Sequence, residues 1–69
     1  MKREKVKSSN IASIGYESLK SLLEIEFTTG SVYQYFNVPQ RAWDNIMKAK
    51  SKGYYFAQYI KHNFKYERV

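Results

Sequence analysis

The stretch "LLEIEFTTGSVYQYF", residues 22–36, decides the fold, because its turn sets which side chains face inward. Leu23, Ile25 and Phe27 alternate with Glu24 and Glu26, the period-two pattern of a half-buried strand. "SVYQYF" (31–36) is β-branched and aromatic and reads as its hairpin partner. A two-residue loop would force Thr29, a β-branched residue, to a positive φ. A three-residue loop, Thr28-Thr29-Gly30, asks that only of Gly30. The second loop pairs Phe27 with Ser31, Ile25 with Tyr33 and Leu23 with Tyr35. Directly opposed residues share a face, so Tyr33 and Tyr35 fall on the Leu23/Ile25/Phe27 side, in the core. A slip of one residue would turn both tyrosines outward, where they would form a stacking platform.

Outward from the hairpin, "IASIGY" (11–16) reads as a preceding strand and "ESLKS" (17–21) as the turn between them. Gly15 within that strand implies a bulge or a close backbone approach. "VPQRAWDNIMKAK" (38–50) carries Ala42, Trp43, Ile46 and Met47 as an apolar helical stripe, with Pro39 suited to the first helical position. Ser51 can cap a second helix over 52–63, where Phe56 and Ile60 lie one turn apart. The tail "FKYERV" reads as a short strand or an extended arm. Strands followed by helices imply an α+β domain: a three-stranded antiparallel meander with two helices packed on one face. Residues 1–7 are polar and basic without hydrophobic period, and are expected to form a mobile arm before a single domain at 8–69. The expected core is Leu23, Ile25, Phe27, Tyr33, Tyr35, Trp43 and Phe56.

At 69 residues the chain is one domain at most. A domain this short buries only about 60% of its unfolded surface, so large rings matter to its core. The sequence holds no cysteine, which excludes disulfides and thiolate zinc sites. No segment approaches the ~20 apolar residues of a membrane span. The charged start "MKREKVKSSN" has no apolar run behind it and does not read as a secretory signal, so a cytoplasmic location is expected. The net charge is +6 and is unevenly placed. Lys2, Arg3, Lys5 and Lys7 crowd the start, and Arg41, Lys48, Lys50, Lys52, Lys61, Lys65 and Arg68 crowd the second half against only Asp44 and Glu67. Such an excess is an argument about partners rather than fold.

Taken in order, Ser8-Ser9, Ile14-Gly15-Tyr16, Phe27, Gly30, the Tyr33-x-Tyr35 pair with Val38-Pro39, and Ser51-x-Gly53-x-x-Phe56 resemble the KTSC domain. The likeness runs over about residues 6–69. That domain takes its name from the C-terminus of some lysyl-tRNA synthetases and also occurs as small stand-alone bacterial or phage-type proteins. The resemblance implies a small α+β fold and no established activity. RNA binding, suggested for the family through the synthetase connection, enters as analogy.

No catalytic constellation stands out, and a non-enzyme is expected. His62 is the only histidine and sits near a helix end, where a cation suits the dipole. Glu24 and Glu26 share a strand face and read as charges that deter edge pairing. No metal or cofactor is implied. Lys48, Lys50, Lys52, Lys61, Lys65 and Arg68 are the candidate phosphate contacts for RNA or single-stranded DNA, on the helical side. Phe36, Tyr54 and Tyr55 are candidate stacking residues. The alternative is a protein partner or a homodimer, held through an apolar Val32/Phe36 patch on the open sheet face. No membrane partner is expected.

Overall fold

The computed structural model describes residues 1–69. Five strands form one antiparallel sheet in sequence order: β1 (Arg3–Lys5), β2 (Ile11–Glu17), β3 (Leu22–Phe27), β4 (Val32–Tyr35) and β5 (Tyr66–Arg68). Between β4 and β5 the chain forms α1 (Gln40–Lys48) and α2 (Lys52–Tyr55), and α2 continues without a break into a π-helical turn, Phe56–Ile60. The α+β class and the two-helix layer are as expected.

The central hairpin has the register that turn chemistry dictates. Leu23 opposes Tyr35 and Ile25 opposes Tyr33. The Phe27 N–H donates to the Ser31 carbonyl at 2.9 Å, closing the loop, and Gly30 alone within it has a positive φ, 96°. Ser21 and Asn37 are the other left-handed residues. Ser21 ends the 3₁₀ turn Ser18–Lys20, and its carbonyl accepts from the Val38 N–H.

The sheet has five strands rather than the expected three. The basic start does not remain outside the fold as a mobile arm, because Arg3–Lys5 pairs with β2, Arg3 opposite Gly15. At the other edge the tail supplies β5, Tyr66 opposite Tyr35. Both added strands are three residues long and mostly charged, so neither shows a hydrophobic period. Such short, charged strands suit sheet edges, where they discourage further pairing.

Gly15 is where the new edge strand approaches. A Cβ there would lie 2.8 Å from both the Arg3 side chain and the Lys2 carbonyl oxygen. The bulge lies instead at Ala12, between Ile11 and Ser13. It explains why Ile11 and Ile14, three residues apart in one strand, are both fully buried: the extra residue turns both inward.

Ile11, Ile14, Leu23 and Ile25 meet Ala42 and Ile46 of α1 and Phe56 and Ile60 of the second helical segment. Each fully buried aliphatic side chain contributes roughly 1.5–3 kcal/mol of transfer free energy. Trp43 is half-buried and stacks on Tyr16, ring centroids 5.8 Å apart, while the Tyr16 hydroxyl donates to the Val38 carbonyl at 2.6 Å. Pro39 stands one position before its expected place, as the N-cap of α1. Ser51 caps α2 as expected, its hydroxyl accepting from the Tyr54 N–H.

Candidate nucleic-acid interface

Sheet register gathers acids on the outer face. Gly15, Glu24, Gln34 and Glu67 lie in one cross-strand row on the outer face, and Ser13, Glu26 and Val32 in the next. Arg3 crosses Gly15 to reach Glu24, Nη1 to Oε2 at 2.7 Å, and Gln34 donates to the other Glu24 oxygen at 2.9 Å. The Ser13 hydroxyl donates to Glu26 at 2.8 Å. The two carboxylates that share a strand face are therefore held in a hydrogen-bonded network. Val32 and Phe36 are half-buried beside these polar rows.

The helical side is different. From α1 to the end of the π-helical turn and the two residues beyond it, Asp44 is the sole acid, against Arg41, Lys48, Lys50, Lys52 and Lys61. Lys48, Lys50 and Lys61 are exposed. Lys52 is half-buried, and its ammonium group donates to the Ala49 carbonyl at 3.0 Å, closing the end of α1. Lys65 is exposed, and its backbone carbonyl accepts from Phe36. Tyr54 is exposed, whereas Tyr55 is half-buried against Tyr59, centroids 4.7 Å apart.

Between the β4–β5 side of the sheet and the helical segment lies a groove of about 420 Å³. Its walls are Phe27, Tyr33, Tyr35, Phe56 and Tyr66. Neighbouring rings in this set stand 5.4–5.6 Å apart, mostly edge-on or tilted. Ala57, Lys61, His62, Asn10, Thr29 and Ser31 complete the lining, and no acid belongs to it. Arg68 shares the inner face with Tyr33 and Tyr66 and donates to the Ser31 hydroxyl at 3.2 Å. No group of three His, Cys, Asp or Glu side chains stands close enough to hold a metal ion, and no helix is long and apolar enough to cross a membrane.

Tyr33 and Tyr35 thus point inward and still border solvent. Tyr35 is 3% exposed. Its hydroxyl has no protein hydrogen-bond partner, yet no side-chain polar atom is both sealed from solvent and unpaired, so that hydroxyl opens into the groove. Burial, and then the neighbouring Tyr66 and Tyr33 phenols, push its pKa up to about 12. It is a protonated donor at any ordinary pH.

Of the expected contact residues, the fold brings Lys61 and Arg68 to the aromatic groove. Phe36 lies on the opposite face, and Lys48, Lys50 and Lys52 gather at the helix junction instead. The expected core residues are buried or half-buried, as their pattern implied. Tyr66 and Asn10 were not singled out by sequence; the alternation of Phe64 and Tyr66 was the only hint of the former. Asn10 is held by local packing. A Cβ on Gly53 would come within 2.5 Å of its Oδ1, which accepts from the Ser8 hydroxyl at 3.1 Å.

Comparison with known proteins agrees with the sequence resemblance. The model of the KTSC domain family matches residues 7–64. A lysine–tRNA ligase of Trichormus variabilis is 45% identical over 65 residues, covering 94% of this chain and 12% of that enzyme. The chain thus spans about an eighth of the curated ligases it matches. An uncharacterised protein of Stutzerimonas stutzeri is 36% identical over 70 residues, covering 100% of this chain and 99% of that one. The crystal structure of a KTSC domain protein from Yersinia pestis superposes with a TM-score of 0.96 at 44% identity, covering 99% of this chain and 96% of that chain.

Proposed function

This chain belongs to the KTSC domain family, and from that premise we propose that it is a non-enzymatic module that binds single-stranded nucleic acid, RNA foremost, through the basic surface of its helical side. The observation that carries the proposal is the segregation of charge. Glu17, Glu24, Glu26 and Glu67 are assigned by strand alternation to the outer sheet face, where Arg3 and Lys5 also fall, while the helical segment from Gln40 to His62 exposes Lys48, Lys50 and Lys61 and carries Asp44 as its sole acid. A surface of this kind lowers the free energy of bringing a phosphate backbone close and releases its condensed counterions. Similarity to a segment of enzymes that act on tRNA supports RNA over other polyanions. The rival reading, a protein-interaction module through the outer sheet face, has less support, because that face carries the Arg3–Glu24–Gln34 network.

Fluorescence anisotropy of a labelled single-stranded oligouridylate across a salt series tests the proposal. The affinity is expected to fall linearly with salt on logarithmic axes, by about 0.7 log units per decade for each phosphate neutralised. The Lys48→Glu/Lys50→Glu double variant is expected to bind at least about tenfold more weakly while keeping its melting temperature, because both side chains are exposed. No binding at about 50 mM salt would end this reading.

A further inference from the structure

The helix-junction lysines account for affinity toward a phosphate chain but leave the aromatic groove without a task. Resting on the nucleic-acid reading above, we infer that this groove takes one unstacked nucleobase, stacked against Tyr66 and hydrogen-bonded from below by the Tyr35 hydroxyl, with the adjoining phosphate on Lys61. Three observations carry the inference. First, the cavity is of ligand size, at about 420 Å³, and its walls are rings rather than branched aliphatics. Tyr66 is 54% exposed, so its ring presents a face to solvent at the groove mouth. Second, Tyr35 is almost wholly buried and lines this cavity, yet its hydroxyl has no protein partner and is not sealed from solvent. A buried hydroxyl left to solvent alone gains when a ligand atom replaces the water. Third, the lining bears positive charge and no negative charge, with Lys61 in it and Arg68 beside it at Ser31. An aromatic, anionic occupant satisfies all three conditions together: the rings take the base and the rim takes its phosphate.

The polar lining also bears on which base edge fits. The Tyr35 hydroxyl can donate, and the Asn10 amide remains able to donate while its oxygen is occupied by Ser8. A donor-rich pocket matches the carbonyl oxygens of thymine or uracil, which makes oligothymidylate a suitable probe.

The test compares a short oligothymidylate with an abasic oligodeoxynucleotide of the same length and phosphate count. The inference expects the abasic strand to bind about tenfold more weakly at equal salt. Tyr66→Ala should lower oligothymidylate binding to the abasic level and leave abasic binding unchanged. Tyr66 lies on an edge strand, so its removal is tolerable; Tyr35→Phe, which keeps the ring, provides a second variant and should weaken only the base-bearing strand, by about threefold. Equal affinity for both strands, with both abolished by Lys48→Glu/Lys50→Glu, would overturn the groove inference and leave the nucleic-acid reading standing. A preference for bases that survives both tyrosine replacements would likewise overturn it. Binding of neither strand would remove the inference together with the reading it rests on.

Discussion

The two ends of the sheet's inner face each take one strand of the central hairpin and behave differently. At the β2–β3 end, Ile11, Ile14, Leu23 and Ile25 are sealed completely. At the β4–β5 end, Tyr33, Tyr35 and Tyr66 line an open groove. Branched aliphatic side chains are apolar to their tips, so an end made of them is stable only when covered. Tyrosine has an apolar body and a polar tip, and can floor a core while edging a cavity. Whether the tyrosine pair is core or surface is therefore a question about two ends of one side chain.

The contrast can be broken most directly by truncation. Ile25→Ala is expected to cost about 2–5 kcal/mol in urea unfolding, the range for a large-to-small change in a sealed core. Tyr66→Ala should cost below about 1 kcal/mol, since the ring is 54% exposed on an edge strand. Equal costs would mean that the open end is as tightly integrated as the sealed one.

Close backbone approaches sharpen the same contrast at the first edge. Gly15→Val places atoms within 2.8 Å of Arg3 and the Lys2 carbonyl and should destabilise by about 1–3 kcal/mol. Its signature is faster amide exchange in β1 with β3 and β4 still protected. Exchange that rises evenly across the sheet would show that β1 is not a separable edge. A smaller effect is expected from Arg3→Ala. Its 2.7 Å pair with Glu24 is partly buried, and the loss should be about 1 kcal/mol, shrinking at high salt.

The smallest effect is a pH dependence. The folded state holds the Tyr35 proton more tightly than the unfolded chain does. Its contribution to stability is therefore complete below the ordinary phenol pKa of about 10 and is lost as pH rises through about 12. Urea midpoints of the wild type should fall more steeply over that window than those of Tyr35→Phe. Parallel curves would show that the hydroxyl is not desolvated in the folded state.

Much of this architecture was legible in the sequence, and the reasons are local. Gly30 is the only residue in its loop comfortable at positive φ, so the hairpin register and the inward direction of Tyr33 and Tyr35 followed from one turn. β1 is not legible in the sequence because "REK" has no hydrophobic period, and its pairing rests on the bare backbone of Gly15. Of the two readings of Gly15, a bulge or a close backbone approach, the close approach is the one found, and the bulge at Ala12 shows only in the burial of both Ile11 and Ile14. The helix-side lysines could be read as a group from their spacing. The groove could not, because its lining comes together from β3, β4, β5 and the helical segment, and no single residue pattern encodes that meeting. Lys61 was the one residue assigned to phosphate contact that the fold also sets into the groove lining.

The central claim is that ligand meets this domain at the open end of its inner face and along the basic helical side. An NMR titration of the labelled protein with single-stranded oligouridylate tests it most directly. The account predicts amide shifts at Tyr33, Ala57, Lys61, His62 and Tyr66, joined by Lys48 and Lys50, with Glu24, Glu26 and Gln34 unmoved. Shifts gathered on the Glu24–Gln34 face, or a spectrum that saturating oligonucleotide leaves unchanged, would contradict it.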